Sequence, residues 1–351
     1  MSYRTKAVAA ALLLLATLAP VSFASAADMP MKVKAVKAPP DLPFFLLIDD
    51  RVSFSYIPTA TDPGVFSRRP DGSINGKTAK QVYSFTHFDI WAYGTNFFNI
   101  SMYKSDHNDP ANGCTLVNTG CGGATEIYGL IRSTIGFNEV FNTKAFSIGP
   151  LRDVSFEIGA DANTENNALA PAKRDIVAGL QFAFDLPYKG FFNVVPLYYK
   201  EINHNSFDQG LAPGLLPSGN TEYRGTWAVE TNYYMDLGFL PESLQLFAIS
   251  GRAAWYGPKG PENSPLAFAV PGNIQTKTEF NSEPIRLTFD ASKAVWGPKY
   301  THFVDLWVAY RYWQNKFGLD HANSVNCNVS PGVSNNSCTE SSVYSGITVK
   351  F

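Results

Sequence analysis

Residues 80–104 read KQVYSFTHFDIWAYGTNFFNISMYK, two alternating runs joined at Gly94. In an extended chain successive side chains point to opposite faces. Thr86, Phe88, Ile90 and Ala92 therefore share one face of the first run, and Tyr83, Phe85, His87, Asp89, Trp91 and Tyr93 share the other. The first face suits lipid. The second mixes aromatic rings with an imidazole and a carboxylate, the make-up of a wetted wall rather than a packed interior. The second run repeats the division, with Phe98, Ile100 and Met102 set against Phe97, Asn99, Ser101 and Tyr103. A strand of a soluble sandwich also alternates, so the hairpin takes its meaning from the rest of the chain.

At the start of the chain Arg4 and Lys6 precede the apolar run 7–19, and Ala24-Ser25-Ala26 offers the small residues that a signal peptidase accepts. This predicts a cleaved signal peptide over residues 1–26. The apolar run falls short of the roughly 20 residues of a spanning helix, and no Cys at the junction offers a lipid anchor. Residues 27–43 hold Lys32, Lys34 and Lys37 among Pro30, Pro39, Pro40 and Pro43, which reads as an extended, solvated periplasmic tail. No later segment is apolar for long enough to span as a helix. Charged residues make up 17% and aromatics 14% of the chain, against about 25% charge in ordinary soluble proteins. Exported, poor in charge and without spanning helices, such a chain is expected to close into a barrel in the outer membrane of a Gram-negative bacterium. That is the other way to satisfy backbone groups in lipid. A net charge of −2 argues against nucleic acid as a partner.

Between residues 44 and 351 about twelve strand-like runs alternate with connections that are long and rich in Gly, Pro and Asn, then short, in strict succession. The fold class expected is all-β, a transmembrane antiparallel up-and-down β-barrel of about 12 strands with both ends of the chain on the periplasmic side. In the last run Val343, Ile347, Val349 and Phe351 oppose Tyr344, Gly346, Thr348 and Lys350. The terminal Phe351 reads as an assembly signal for the barrel-insertion machinery, and membrane lipid and lipopolysaccharide are the partners expected of the outer face.

Four cysteines fall as pairs in two of the long connections, Cys114 with Cys121 and Cys327 with Cys338. In an exported chain this spacing reads as two loop-stapling disulfides rather than as a metal site. The stretch 105–109, SDHND, lacks the ligand spacing of a calcium loop, and no metal or cofactor is implied.

Chemistry collects on the faces expected to line the lumen. Parity places His87, Asp89, Glu126, Arg132, Glu157, Asp175, Arg224, Arg252, Asp305 and Arg311 there, interleaved with Phe85, Trp91, Tyr93, Phe97 and Tyr128. A pore for anions shows rings of one sign and a pore for cations rings of the other. Both signs together suit neutral or zwitterionic polar solutes, and the rings suit a flat heterocycle. Cross-strand pairing that merely stabilises a narrow barrel accounts for the same charges, so a structural or adhesive barrel with a closed lumen is the chief alternative, ahead of a general porin. A lipase would need a nucleophile beside a base. His204 and Ser206 share a strand face too far apart for an easy hydrogen bond, so no enzyme is expected.

Several stretches together resemble the nucleoside-specific channel-forming, Tsx-like family of outer-membrane barrels over nearly all of the mature length. They are Val52-Ser53-Phe54-Ser55-Tyr56 with Pro63-Gly64, the run from Phe85 to Phe98, Gly123 to Gly129, Ser147 to Asp153, Gly179 to Leu186, Arg311-Tyr312-Trp313 and Ile347 to Phe351. The resemblance implies a narrow, aromatic-lined lumen that passes nucleosides passively, with Asp89, Glu157, Asp175 or Arg132 exchanging hydrogen bonds with ribose. The Lys/Pro tail and the cysteine-bearing loops depart from the best-known members.

Overall fold

A computed structural model describes residues 43–105, 123–166, 172–201, 223–260 and 277–351, and Pro43–Phe351 form one unit. Twelve strands make a closed antiparallel barrel: β1 (Phe45–Ala60), β2 (Thr78–Trp91), β3 (Gly94–Ser105), β4 (Thr125–Gly136), β5 (Leu151–Glu165), β6 (Arg174–Leu186), β7 (Gly190–Glu201), β8 (Thr226–Asp236), β9 (Phe247–Tyr256), β10 (Glu279–Asp290), β11 (Val304–Gln314) and β12 (Thr339–Lys350). Each pairs with its neighbours in sequence, and β12 closes on β1 through Phe54 opposite Ile347 and Arg51 opposite Lys350. Closure removes the open edges that would otherwise recruit further strands. The signal-peptide and tail expectations, the Cys114–Cys121 pair and the stretch 204–206 fall outside the described residues.

Alternation decides what faces where. Along β5 the exposed residues include Phe156 and Ile158, and the buried ones Asp153, Ser155, Glu157, Gly159, Asp161 and Asn163. On β12 Val343 is 61% exposed while Tyr344, one position on, is buried. The exterior is thus a belt of exposed aliphatic side chains, among them Ile100, Ile131, Ile176, Leu180, Leu287, Leu306 and Val308. The interior carries most of the charge. No described helix is long and apolar enough to cross a membrane. The short connections, and the short helices α1 (Phe137–Val140) and α2 (Ala291–Trp296) within them, gather at one rim. Aromatic groups mark that rim: Phe44, Trp91 and Tyr93 in contact, Phe137 with Phe141 and Phe146, and Trp296 with Tyr300 and Phe303.

At the opposite rim the connection between β11 and β12 is folded. Cys327 and Cys338 are bonded, with their Cα atoms 5.4 Å apart, and pack with Leu319 in a small buried cluster. This loop leans on the one between β1 and β2. Gly64 N donates to Ser337 Oγ at 2.9 Å, and Lys316 Nζ donates to the Thr61 carbonyl at 2.6 Å. Lys316 is buried there, which pushes its ammonium below the ordinary lysine range; Glu340 works against the shift, and Arg311 and Lys80 add to it.

The register of β2 overturns one expectation. The turn after β2 is only residues 92–93, so Phe85 lies opposite Ile100 and Tyr83 opposite Met102. On its other side Phe85 lies opposite Val52, and Tyr83 opposite Phe54. Ile100, Met102, Val52 and Phe54 are exposed on the outer surface, and directly paired residues share a face. Tyr83, Phe85, His87, Asp89 and Trp91 therefore lie on the exterior face. Lys80, Val82, Ser84, Thr86 and Phe88 line the interior, the reverse of the expected parity. Tyr93 sits in the turn, exposed at the short-connection rim.

Candidate functional site: the inner wall

The inner wall is built from alternate residues of all twelve strands, and its charges are organised into clusters at three heights. Midway along the barrel Arg132 reaches from β4 to Glu230 on β8, four strands away, with Nη2 to Oε1 at 2.7 Å. The guanidinium also bonds Asp161 on the adjacent strand, and Glu157 lies 3.9 Å off. Tyr128 donates to Asp161 at 2.9 Å, and Tyr256 on β9 donates to Glu230 at 3.0 Å. Arg132 crosses the lumen because Gly159 stands opposite it. A Cβ at that position would meet the Arg132 Cδ at 2.6 Å and the Ile131 carbonyl at 2.5 Å.

A second mid-height group sits on the facing wall. Arg286 bonds Glu283 at 2.7 Å and lies over the Trp307 ring at 3.9 Å, while Tyr344 hydrogen-bonds Glu283 two strands away. Gly346 keeps that arrangement possible, since a Cβ there would meet the Trp307 ring at 2.4 Å.

Toward the long-connection rim two further networks form. In one, Lys80 bonds Asp62 at 2.5 Å and approaches Glu126 at 3.7 Å, while Arg311 and Lys316 pair with Glu340 at 2.7 and 2.9 Å. In the other, Lys259 pairs with Glu201 at 2.8 Å and Lys173 with Asp175 at 3.1 Å, packed against the rings of Tyr199, Tyr223 and Tyr256. The surrounding wall is apolar, with Val177, Val195, Leu197, Ala228 and Ala254 buried around Tyr199 and Tyr256. Side chains thus fill much of this half of the lumen. At the short-connection rim Asp49 joins Arg51 and Lys350 at 2.5 and 2.6 Å, and His302 stands beside Asp305.

Of the residues singled out from sequence, Phe97, Glu126, Tyr128, Arg132, Glu157, Asp175, Arg252, Asp305 and Arg311 lie on the inner wall. Arg132 and Glu157 come together in the mid-height cluster, with Tyr128 bonded to Asp161 in the same cluster. Arg252 lies between Asn232 and Glu283 in the register and is exposed to the lumen. Arg224 is corrected: it precedes β8 in an exposed rim segment, its N–H donating to the Gly260 carbonyl. Phe85, His87, Asp89 and Trp91 are corrected to the exterior, as the β2 register requires. There His87 bonds Asp50 at 2.6 Å and Asp89 at 3.1 Å, and Asn96 donates to Asp89 at 2.9 Å. These mutually paired groups account for polar side chains on an otherwise apolar face. Phe351 is 67% exposed at the end of β12, its N–H donating to the Asp50 carbonyl and its ring near Phe85.

Sequence reasoning did not single out Lys80, Lys173, Lys259 or Lys316 for the wall, nor Phe88, which faces inward opposite Phe97. Lys259 and Lys316 lie in the long connections, where parity gives no direction. Lys80 and Phe88 follow from the β2 register alone.

No protein-family model matches the chain, and no curated protein matches it in sequence. Among solved structures it is similar to an outer membrane channel from Pseudomonas putida F1, with 11% identity, 89% of this chain and 99% of that chain covered and a TM-score of 0.44. The translocator domain of the autotransporter NalP from Neisseria meningitidis follows at 9% identity, 87% and 88% coverage and 0.35. OpdK of Pseudomonas aeruginosa with vanillate stands at 8% identity, 87% and 98% coverage and 0.34. Likeness this distant carries no information on a solute.

Proposed function

We propose that the protein is a passive channel for small polar solutes in the outer membrane of a Gram-negative bacterium, with nucleosides as the solute class. One observation carries the reading: a closed barrel turns a belt of exposed aliphatics outward and charges of both signs inward. Aliphatic side chains exposed on eight of the twelve strands, with Tyr83, Tyr198 and Trp227 exposed on three of the others, have no stable place in water, whereas a closed sheet leaves no backbone group unpaired in lipid. The rim of long connections then faces the medium and the rim of short turns the periplasm.

The wall supports neutral solutes because its charges are largely paired with one another, so neither ions nor phosphates meet a ring of one sign. Phe88 and Phe97 face each other on adjacent strands as half-buried rings on which a base stacks, and such contacts contribute about 1–3 kcal/mol each. Glu157 and Arg132 remain the groups proposed for ribose hydroxyls, while Phe85, Trp91 and Asp89 drop out of the path. Phe351, exposed at the end of β12, is proposed as the tag read by the assembly machinery, and the aliphatic belt as the surface that meets lipid and lipopolysaccharide.

The test is uptake into proteoliposomes. Uridine entering much faster than a sugar of similar size, with uridine monophosphate excluded, supports the nucleoside path. Flux ordered only by size points to a general porin. The Arg132–Glu230 bridge across the lumen favours a second reading, a structural barrel with a closed lumen, and that reading predicts no flux of any solute.

A further inference from the structure

At the short-connection rim three side chains far apart in sequence converge: Asp290 at the end of β10, His302 in the following turn and Asp305 on β11. One potential ligand atom from each lies within 4.8 Å of the others. Both carboxylates are buried, and Asp290 and His302 line a cavity of about 500 Å³ that also reaches Asp236, Lys189 and Lys293.

The hydrogen bonds fix which nitrogen of the imidazole is available. Tyr234 has a single hydroxyl proton, and it donates it to Asp236 at 2.6 Å. The Tyr234 oxygen therefore accepts at 3.2 Å from His302 Nε2, which must carry a hydrogen. Nδ1 faces the Asp305 oxygens at 3.0 and 3.2 Å and the Asp290 Oδ2 at 3.9 Å. A bare lone pair among two carboxylates is repelled by both, so Nδ1 holds either a proton or a cation. Asp290 is itself held in place by the N–H groups of Lys293 and His302 and by the Ser292 hydroxyl. Two of the cations nearby are held by other partners: Arg51 pairs with Asp49 at 2.5 Å, and Lys293 Nζ donates to the Gln245 carbonyl at 2.6 Å.

We propose that Asp290, His302 and Asp305 form a binding site for a divalent cation of the zinc class at the periplasmic mouth of the barrel. Ligands about 2.0–2.2 Å from a tetrahedral ion lie about 3.4 Å from one another, and the separations of 3.0 and 3.9 Å bracket that value. One imidazole nitrogen with two carboxylates suits a borderline ion better than calcium or magnesium, which favour all-oxygen shells. Tyr234 and Asp236 act as the outer partners that set the tautomer. Binding exchanges the Nδ1 proton for the ion, so each ion bound releases a proton to the buffer.

The experiment is calorimetric titration of Zn²⁺ into the refolded, chelator-treated full barrel, in two buffers of different ionisation enthalpy. One ion per barrel is expected, with proton release, and with affinity reduced at least roughly tenfold in His302→Gln and in Asp305→Asn. Tyr234→Phe leaves every ligand in place and is expected to weaken binding less than either. Heat-modifiable gel mobility establishes that each variant is folded. Absence of saturable binding means that a proton alone occupies Nδ1 and overturns the proposal. So does binding of equal strength in His302→Gln, which places the ion elsewhere. Neither outcome depends on whether solutes cross the barrel.

Discussion

Removing the Arg132 guanidinium leaves Glu230 facing Asp161 and Glu157 with no cation among them. Breaking a buried pair from one side costs about 3–5 kcal/mol, and the lumenal exposure of 11% for Arg132 and 18% for Glu230 moves the expectation to the lower end. Urea unfolding in detergent should show Arg132→Gln destabilised, with Arg132→Gln/Glu230→Gln recovering part of the loss. Gly159→Ala should also destabilise, because the added Cβ crowds both the Arg132 side chain and the Ile131 carbonyl of β4. At the long-connection rim Lys77 offers a pH test. Burial, with Lys316 beside it, lowers its ammonium from 10.5 to about 8. Below about pH 8 both folded and unfolded chains hold the proton, and the cost of burying the charge applies in full. Between about 8 and 10.5 the folded form sheds the proton and the unfolded form keeps it, so stability rises with pH. Lys77→Met should therefore raise the melting temperature at neutral pH, and its advantage should shrink as the pH approaches about 10.

At the scale of the strand, β2 separates what the sequence discloses from what pairing adds. Alternation in β1, β3, β5 and β12 is visible in single strands because their outer faces are aliphatic and their inner faces polar. On β2 the polar residues His87 and Asp89 sit on the outer face, satisfied by Asp50 and Asn96, while the apolar Val82 and Phe88 face inward. Composition therefore points the wrong way. The clue lay in the hairpin: a turn of two residues places Phe85 opposite Ile100, whose outward direction was already clear from β3. Arg224 was misplaced for a different reason, because β8 begins at Thr226, past the segment that parity had counted as strand. The corrected face is directly testable. A charged residue on the lipid side at mid-membrane costs about 2–4 kcal/mol, so Phe85→Arg should lower folding stability in lipid far more than Phe97→Arg, which points into the lumen. The connection between β11 and β12 is also an element with its own stability. Cys327→Ser/Cys338→Ser should lower its local stability by about 2–4 kcal/mol, read as protease nicking within residues 315–338 while the barrel itself resists.

For the molecule as a whole, the twelve-strand closed barrel was legible from strictly alternating long and short connections, since only an up-and-down sheet sorts them to two rims. The inner wall was legible as a set of charges but not as a set of partners. The Arg132–Glu230 contact joins strands four apart around the ring, and no local pattern encodes such a distance. The Asp290–His302–Asp305 group likewise arises from the way a turn folds back over the rim. The barrel is proposed to sit in lipid and to conduct through a wall whose charges are mutually paired. Conductance in a planar bilayer tests this most directly, using refolded protein shown to be heat-modifiable. The predicted result is discrete steps with little preference between cations and anions, reduced by uridine added to one side. A folded barrel that gives no steps under any voltage or solute contradicts the channel and leaves a closed structural barrel in its place.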